Sequence, residues 1–235
     1  MSETSRALVT QDEVTKFYDR LVFPSKTSHK AYEELVPRNL GASKVGDFGC
    51  GQSLFIDTFR QLNYDVLFLD IASNVLKHID YGKKIHASLT DIPLANGYMD
   101  VIFCIGVLHH IPEMGKASAE LARVLKKGGR LYLGVYATKT LQSFIRKAYN
   151  RTGNALLRGI IYLLTGFLIW RRHRRNKLGY GSVEHVKRID DILKTPYVRY
   201  LPPQYYATLF EENGCIVNDT TRISSMNVLI LEKTI

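Results

Sequence analysis

The sequence predicts an α/β fold with a mostly parallel β-sheet that is covered by helices on both faces. Three observations predict it. Short apolar runs alternate with amphipathic segments up to residue 138, and such alternation is typical of parallel strands joined by helices. The apolar runs are continuous, which indicates strands buried on both faces. The last two apolar runs are separated only by a short turn, so they should pair antiparallel.

The elements can be placed in chain order from these patterns. Two helical segments, "QDEVTKFYDRLVF" and "SHKAYEELV", come first and are separated at Pro24. The predicted strands are "SKVGDFG", "DVLFLD", "KIHASL", "MDVIFCIGVL" and "RLYLGVY", followed at the end by "CIVNDTTRI" and "SMNVLILEKT". The predicted helices between them are "QSLFIDTFRQLN", "ASNVLKHIDY", "KASAELARVLKK" and "PPQYYATLFEENG".

The strand–helix alternation is interrupted once, after the fifth strand. We therefore expect three parts. Residues 1–40 form an N-terminal helical lid, residues 41–138 and 203–235 form the core, and residues 139–202 form a basic and apolar insertion. A chain of 235 residues is long enough for one such domain.

The cysteines and the first ten residues indicate in which cellular compartment the protein is expected. The three cysteines lie far apart in sequence, which argues against a disulfide framework or a zinc site and for a reducing compartment. The opening "MSETSRALVT" lacks the apolar core of a signal peptide. We expect a cytoplasmic protein, with peripheral contact to a membrane as one alternative for the insertion.

Positive charge is concentrated in one segment. The chain carries a formal charge of +10 at pH 7. Residues 139–199 hold 14 Lys and Arg against 3 acidic residues, a surplus of +11 that leaves the rest of the chain at −1. This segment favours an acidic partner, which is RNA, an anionic lipid surface or an anionic substrate.

A glycine-rich turn follows the first predicted strand. Its spacing is Asp47-x-Gly49-x-Gly51-x-Ser53, and Leu54 stands where a dinucleotide-binding turn would have its third glycine. The pattern suits a nucleoside with an amino-acid tail, which needs close backbone approach but no phosphate cradle. A tight turn without a ligand is the alternative.

One residue and two further segments also favour a nucleoside-binding site. Asp70 ends the second strand, where a carboxylate can accept hydrogen bonds from both ribose hydroxyls; capping of the next helix is its structural alternative. The others are "DIPLANGYMDVIFCIGVLHHI" and "ELARVLKKGGRLYLGVY".

In this order, these segments resemble the class I S-adenosylmethionine-dependent methyltransferases, in particular the subgroup of small-molecule enzymes that includes the ubiquinone and menaquinone C-methyltransferases. The resemblance is strong over residues 40–137 and loose over 203–233. It implies a Rossmann-like three-layer sandwich, with a seven-stranded, mostly parallel sheet whose last strand is antiparallel. It also implies S-adenosylmethionine as cofactor and S-adenosylhomocysteine as product.

The resemblance assigns cofactor contacts residue by residue. Gly49 and Gly51 would admit the methionine moiety, with Asp47 anchoring the turn and facing the ammonium group. The remaining assigned residues are Asp70 for the ribose, Ile71 and Leu89 for the adenine, Ser88 for the adenine amino group, and Ile105 and Gly106 at the sulfonium end. Ser88 departs from the family pattern, which has an acid there.

The histidine pair after the fourth strand supplies candidate bases. His109 and His110 follow the edge at which ligands bind in such sheets, although one of them could instead pack or cap a helix. By resemblance to some phosphoethanolamine methyltransferases, His109 would pair with Tyr18, a residue that could equally belong to the core. No spacing of His, Asp or Glu resembles a metal site.

The insertion is expected to face the acceptor. Residues 155–177 are apolar and then strongly basic, and three alternatives remain open: a lid over the active site, a monotopic membrane contact, or an RNA-binding surface. The apolar part is too short to span a bilayer. Tyr197, Arg199 and Tyr200 are candidate acceptor-binding residues.

The main hypothesis is a methyltransferase that acts by in-line displacement on a small acceptor, either lipophilic or anionic. The first alternative is a tRNA-modifying methyltransferase, because wobble-uridine methyltransferases have a similar "VLHH" strand end and a basic insertion. The second is a non-catalytic adaptor that keeps the fold. The acceptor atom and the oligomeric state are not determined by the sequence.

Overall fold

The computed structural model describes residues 9–21, 30–40, 43–175 and 182–235. Within them one sheet of seven strands runs in the order β3-β2-β1-β4-β5-β7-β6. The strands are β1 (Val45–Phe48), β2 (Val66–Asp70), β3 (Lys83–His86), β4 (Met99–Ile105), β5 (Leu125–Tyr136), β6 (Cys215–Ile223) and β7 (Met226–Lys233).

The helices alternate with the strands and also build the insertion. They are α1 (Gln11–Arg20), α2 (Lys30–Glu33), α3 (Ile56–Gln61), α4 (Ser73–Leu76), α5 (Met114–Val124), α6 (Leu141–Arg151), α7 (Ala155–Arg175), α8 (Ser182–Lys194) and α9 (Pro203–Glu211). A 3-10 turn, Leu108–His110, follows β4.

The predicted fold class is confirmed. Strands β1 to β5 pair in parallel, and β7 pairs antiparallel with both β5 and β6. All residues of β1 and β2 are buried, as continuous apolar runs predict.

Two strands differ from the sequence prediction. Strand β5 begins at Leu125 and contains Gly128 and Gly129, whereas the predicted strand "RLYLGVY" begins only at Arg130. Strand β3 is a short edge strand with mostly exposed side chains and is not an apolar run. It ends at His86, so the apolar end of "KIHASL" does not belong to the strand.

The core has two layers because alternate strand residues point to opposite faces of the sheet. In β2, Leu67 and Leu69 pack in the cluster that contains α5 and α9. Val66 and Phe68 pack in the cluster that contains α3 and α4. The sheet is therefore covered on both sides, and its carboxyl edge stays available for a ligand.

The strand order reverses between β1 and β4, which lie side by side at the centre of the sheet. In open α/β sheets a ligand binds in the crevice outside the carboxyl ends of the strands at such a reversal. The glycine-rich turn after β1 and the turn after β4 both open onto this crevice. The topology thus places the predicted motifs together.

The insertion forms three helices, α6, α7 and α8, which pack on one another. The Arg146 guanidinium of α6 donates hydrogen bonds to the carbonyl oxygens of Ile192 and Thr195, at the carboxyl end of α8. In the ranges that the structure describes, no helix has both the length and the apolar character needed to cross a membrane. Residues 176 and 177 of the predicted membrane or RNA segment lie outside the described residues.

Candidate active site

A cavity of about 830 Å³, part of which is open to solvent, lies at the carboxyl edge of the sheet. Its floor includes Gly49, Asp70 and Gly106, which end or follow β1, β2 and β4. Helix α1 covers it and contributes Val14 and Tyr18.

The two glycines after β1 play different parts. Gly49 and Gly51 have φ of +70° and +53°, where residues with a Cβ are strained. A Cβ on Gly49 would lie 2.5 Å from the methyl carbons of Val107, so close packing excludes a side chain there. A Cβ on Gly51 would meet no atom of the described residues within 4 Å. Because Gly51 also lines the cavity, a ligand can approach the backbone at this point.

Asp70 is held in place by the backbone around it. Its Oδ2 accepts a hydrogen bond from the Gly51 N–H and its Oδ1 accepts one from the Ala72 N–H, each at 2.8 Å. Burial raises the pKa of Asp70, and these two backbone donors oppose the rise. Each carboxylate oxygen has a further lone pair. Asp70 can therefore accept two more hydrogen bonds from a pair of neighbouring hydroxyls.

Asp47 anchors the glycine-rich turn from beneath. Its Oδ2 accepts a hydrogen bond from the Ser53 hydroxyl at 2.6 Å, and the Ser53 oxygen accepts one from the Phe55 N–H at 3.1 Å. Burial raises the pKa of Asp47 to about 7; the Ser53 hydrogen bond opposes this rise and the charge of Asp70 adds to it. Asp47 is not among the residues that line the cavity, so a role beyond anchoring remains a prediction.

The other predicted cofactor residues divide into two groups. Ile71, Leu89 and Gly106 line the cavity, whereas Ser88 and Ile105 do not.

Ser88 and Ile105 have local contacts instead, so their assignment to the cofactor stays a prediction. The hydroxyls of Ser88 and Thr90 lie 2.8 Å apart, and the Ser88 oxygen also accepts the Thr90 N–H at 3.1 Å. Ser88 therefore stabilises its own turn. Ile105 lies against Gly134 of the neighbouring β5, with its Cγ2 2.9 Å from the Cβ position of that glycine.

Helix α1 is fixed at both ends. Thr10 and Glu13 form a capping box at its start. At its end, the Asp19 carboxylate accepts hydrogen bonds from the backbone N–H and side-chain amide of Asn74, both at 3.0 Å. Since Asn74 belongs to α4, Asp19 joins the lid to the sheet domain and also caps α4. The sequence analysis did not assign a role to Asp19, although the sequence places it in the last turn of a predicted amphipathic helix.

The two histidines have different environments. His109 is fully buried, with its ring centroid 4.0 Å from that of Tyr136, and neither ring nitrogen has a hydrogen-bond partner among the described residues. It does not line the cavity. Burial lowers the pKa of His109, and the adjacent His110 lowers it further. The structure therefore does not pair His109 with Tyr18.

His110 lines the cavity and contacts Tyr18 edge-on, with ring centroids 5.5 Å apart. Its Nδ1 lies 3.0 Å from the carbonyl oxygen of Tyr197. A carbonyl oxygen only accepts hydrogen bonds, so Nδ1 carries the proton and the lone pair of the neutral ring is on Nε2. Burial lowers the pKa of His110, while Asp191 and the Tyr197 carbonyl oppose this change.

The predicted acceptor residues Tyr197, Arg199 and Tyr200 are not among the residues that line the cavity. Tyr197 holds His110 through its carbonyl oxygen, and the Arg199 N–H donates to the carbonyl oxygen of His109 at 2.9 Å. Tyr200 stacks on Tyr136 with ring centroids 5.9 Å apart. This stretch therefore positions the histidine turn.

Sequence reasoning missed Tyr136 and Asp191. Tyr136 ends β5 at the ligand edge of the sheet. Its position at the end of a predicted parallel strand could have marked it as a site residue. Asp191 lies in α8, and its Oδ1 accepts a hydrogen bond from the Tyr18 hydroxyl at 3.4 Å. No sequence pattern indicated that contact, because the two residues are far apart in the chain.

The cavity fits a nucleoside that carries an amino-acid tail. It offers an open backbone approach at Gly51, acceptors for a diol at Asp70, and apolar walls that include Ile71 and Leu89. The fold and the geometry of the site are those expected of a class I S-adenosylmethionine-dependent methyltransferase, with S-adenosylmethionine as the cofactor.

Comparison with known proteins supports this expectation over part of the chain. Residues 46–133 match the family described as "Methyltransferase domain". The malonyl-[acyl-carrier protein] O-methyltransferase of Buchnera aphidicola is 33% identical over 115 residues, which cover 46% of this chain and 45% of that protein. The chain spans between 25% and 54% of the length of the curated relatives compared.

Solved structures share the fold at low identity. The 1,6-didemethyltoxoflavin-N1-methyltransferase of Burkholderia thailandensis, with bound 1,6-didemethyltoxoflavin and S-adenosylhomocysteine, matches with a TM-score of 0.61 and 13% identity over 99% of this chain and 94% of that one. The [4+2]-cyclase SpnF matches with a TM-score of 0.63 and 11% identity over 98% of both chains. At these identities the likeness concerns the fold alone.

Proposed function

We propose that this chain transfers the methyl group of S-adenosylmethionine to a small-molecule acceptor, with His110 as the general base. One observation carries the proposal: the residues that fit the cofactor, Gly51 and Asp70, line the same cavity as His110 and Tyr18. Cofactor and acceptor can therefore meet in one cavity.

Each cofactor-facing residue has a stated part in this proposal. Asp70 accepts hydrogen bonds from the ribose hydroxyls, Ile71 and Leu89 contact the adenine, and Gly51 lets the methionine moiety approach the backbone. Asp47 lies beneath this turn, and a cationic ammonium near it would favour the ionised carboxylate.

The bound cofactor supplies an activated methyl group for in-line displacement, so the chain has to supply alignment and a place for a proton. His110 is suited to accept that proton through Nε2, because its Nδ1–H is held by the Tyr197 carbonyl. Its lowered pKa keeps the ring neutral near pH 7. Tyr18, edge-on to His110, orients the acceptor and helps to exclude water.

The acceptor is a small molecule that reaches His110 while protonated, such as a hydroxyl or an amine. The shared lining supports this, since the residues that fit the cofactor and His110 line one cavity that cofactor and acceptor must share. Relatives named as O-methyltransferases of malonyl-[acyl-carrier protein] and of ubiquinone biosynthesis support the same class of chemistry. The tRNA alternative gains no support from these names.

The test is release of S-adenosylhomocysteine by the purified chain. It is incubated with S-adenosylmethionine and, in separate reactions, with a small-metabolite extract, a lipid extract, tRNA or buffer. We expect product only with one of the extracts, and its formation should be about a hundredfold or more slower for His110→Asn. Turnover confined to tRNA would overturn the small-molecule assignment. Tight cofactor binding with no turnover in any reaction would favour a non-methylating role of the fold.

A further inference from the structure

Helix α7 carries a continuous, exposed apolar face. Its central residues recur at intervals of three or four, which places them on one side of a helix. All of them are between 44% and 74% exposed. We call this set the apolar stripe: Leu156, Ile160, Leu163, Phe167 and Trp170. Exposed leucines at 157, 164 and 168 widen it on one flank.

The rest of the protein holds α7 by its other side. Gly166 is buried against Ile189 of α8, whose Cδ1 lies 3.1 Å from the Cβ position of the glycine. The Tyr162 hydroxyl donates to Asp190 of α8 at 3.0 Å. Because these contacts fix the helix, the apolar stripe faces outward in the folded chain. An exposed apolar patch of this extent on a globular protein marks an interaction surface.

We propose that the apolar stripe binds the surface of an anionic lipid bilayer, with the axis of α7 in the plane of the interface. Charge complementarity selects this occupant. Arg151 ends α6, Arg158 lies in the first turn of α7, and the sequence "RRHRR" occupies 171–175 at the end of α7. Basic residues beside a face rich in Leu, Phe and Trp are typical of interfacial helices on anionic lipids.

The same charges disfavour a second copy of the chain as the occupant. Two α7 helices packed through their stripes would bring basic ends together in a parallel arrangement. In an antiparallel arrangement, Arg158 of each copy would approach the basic run of the other. Both arrangements place like charges side by side, which is unfavourable. An RNA partner would satisfy the charges but would leave the apolar stripe in water.

The chain contains a single tryptophan, Trp170, and it belongs to the stripe. Its fluorescence therefore reports directly on this surface. The full chain is titrated with phosphatidylcholine vesicles that contain or lack phosphatidylglycerol, with no cofactor or acceptor present. We expect a blue shift and quenching by brominated lipid only with phosphatidylglycerol, and a loss of binding at high salt.

Two sets of variants separate the apolar and basic contributions. Leu156→Gln with Leu163→Gln changes the two most exposed stripe residues, keeps helix propensity and leaves the probe in place. It should weaken vesicle binding at least about tenfold. Changing Arg171, Arg172, Arg174 and Arg175 together to Gln should do the same. Ile216→Thr, an exposed apolar residue of the edge strand β6, is the matched control and should bind as the wild type does.

The proposal stands apart from catalysis, since vesicle binding is measured without turnover. It is overturned if the wild type shows no binding to anionic vesicles, or if the leucine double variant binds them as tightly as the wild type. Self-association that the leucine variant abolishes, without vesicle binding, would assign the stripe to a second copy. Salt-dependent binding to tRNA, with none to vesicles, would assign the charges to RNA.

Discussion

The hydroxyl of Tyr18 in α1 donates a hydrogen bond to Oδ1 of Asp191 in α8 over 3.4 Å. Asp191 also accepts a hydrogen bond from the Thr195 hydroxyl at 3.2 Å, which fixes its side chain. The contact joins α1 to α8 next to His110, since Tyr18 packs edge-on against that ring. Two parts of the chain that lie outside the sheet therefore meet beside a residue that lines the cavity.

We predict that Tyr18→Phe and Asp191→Asn are coupled. Each variant loosens the same contact, so the double variant should lose less than the sum of the two. The coupling free energy should be about 1 kcal/mol in kcat/KM for the acceptor, or roughly fivefold. If these residues only position the acceptor, KM should rise more than kcat falls.

The control for this cycle is a second contact to the same partner helix, α8. Tyr162→Phe removes another tyrosine–aspartate bond to α8, the one to Asp190, which belongs to the packing of α7. It should leave kcat/KM unchanged. Additive effects of Tyr18→Phe and Asp191→Asn would show that the contact carries no function.

The second prediction compares two glycines with the same backbone constraint. Gly51 and Gly128 have φ of +53° and +74°, and a Cβ on either would meet no atom of the described residues within 4 Å. Alanine at each should therefore cost a similar, modest amount of stability, about 1–2 kcal/mol. Only Gly51 lines the cavity. By calorimetry, Gly51→Ala should lower S-adenosylhomocysteine affinity at least about tenfold, whereas Gly128→Ala should not. Equal affinities would place the cofactor elsewhere.

Features set by strand patterns could be predicted from the sequence. The sheet, its reversed last strand and the place of Asp70 all follow from apolar runs, because the end of a buried parallel strand fixes which residue reaches the ligand edge. The glycine-rich turn was predictable for the same reason. Its close approach to Val107 was not, because it depends on packing between turns that follow separate strands.

Features set by turns and distant packing could not be predicted. His109 and His110 are adjacent, and which of them faces the cavity depends on the 3-10 turn and on the backbone of Tyr197, 87 residues away. Ser88 was assigned to the adenine from its position in the family motif, but its hydroxyl forms a hydrogen bond with Thr90 in its own turn. Such local hydrogen bonds compete with any longer-range role of a short polar side chain.

The third prediction concerns the pH dependence of stability through Asp47. Its folded pKa is raised to about 7, whereas an unfolded aspartate has a pKa of about 3.9. Between these values the folded chain binds a proton that the unfolded chain does not, so this contribution is present below pH ~4 and is lost as pH rises towards 7. Asp47→Asn keeps an acceptor for Ser53 and removes the titration. Without cofactor, the free energy of unfolding of the variant should gain about 1.4 kcal/mol per pH unit relative to the wild type between pH ~5 and ~6.5.

Urea unfolding at several pH values checks this prediction, and Asp100→Asn is its control. The Lys126 ammonium and the Lys44 backbone N–H hold the pKa of Asp100 below its usual range despite some burial. Its stabilising contribution is lost only at more acidic pH, so Asp100→Asn should shift stability without changing the slope in this window. Parallel profiles for the wild type and Asp47→Asn would show that Asp47 is already ionised in the folded chain.

The last prediction separates the two adjacent histidines by the same substitution. Asparagine can donate from the position of Nδ1 but has no counterpart to Nε2. His110→Asn should therefore keep the hydrogen bond to the Tyr197 carbonyl and lose the base. We expect its kcat to fall by about a hundredfold or more with cofactor affinity little changed, whereas His109→Asn, behind the cavity, should stay within about tenfold of the wild type.

The pH profile gives a second measurement. Because burial lowers the pKa of His110, the wild-type kcat should fall only at a pH below about 6.5, the usual histidine pKa, as the ring is protonated. A His110→Asn enzyme with the wild-type rate would mean that the acceptor needs no protein base. Equal losses in both variants would mean that the histidine turn acts through packing alone.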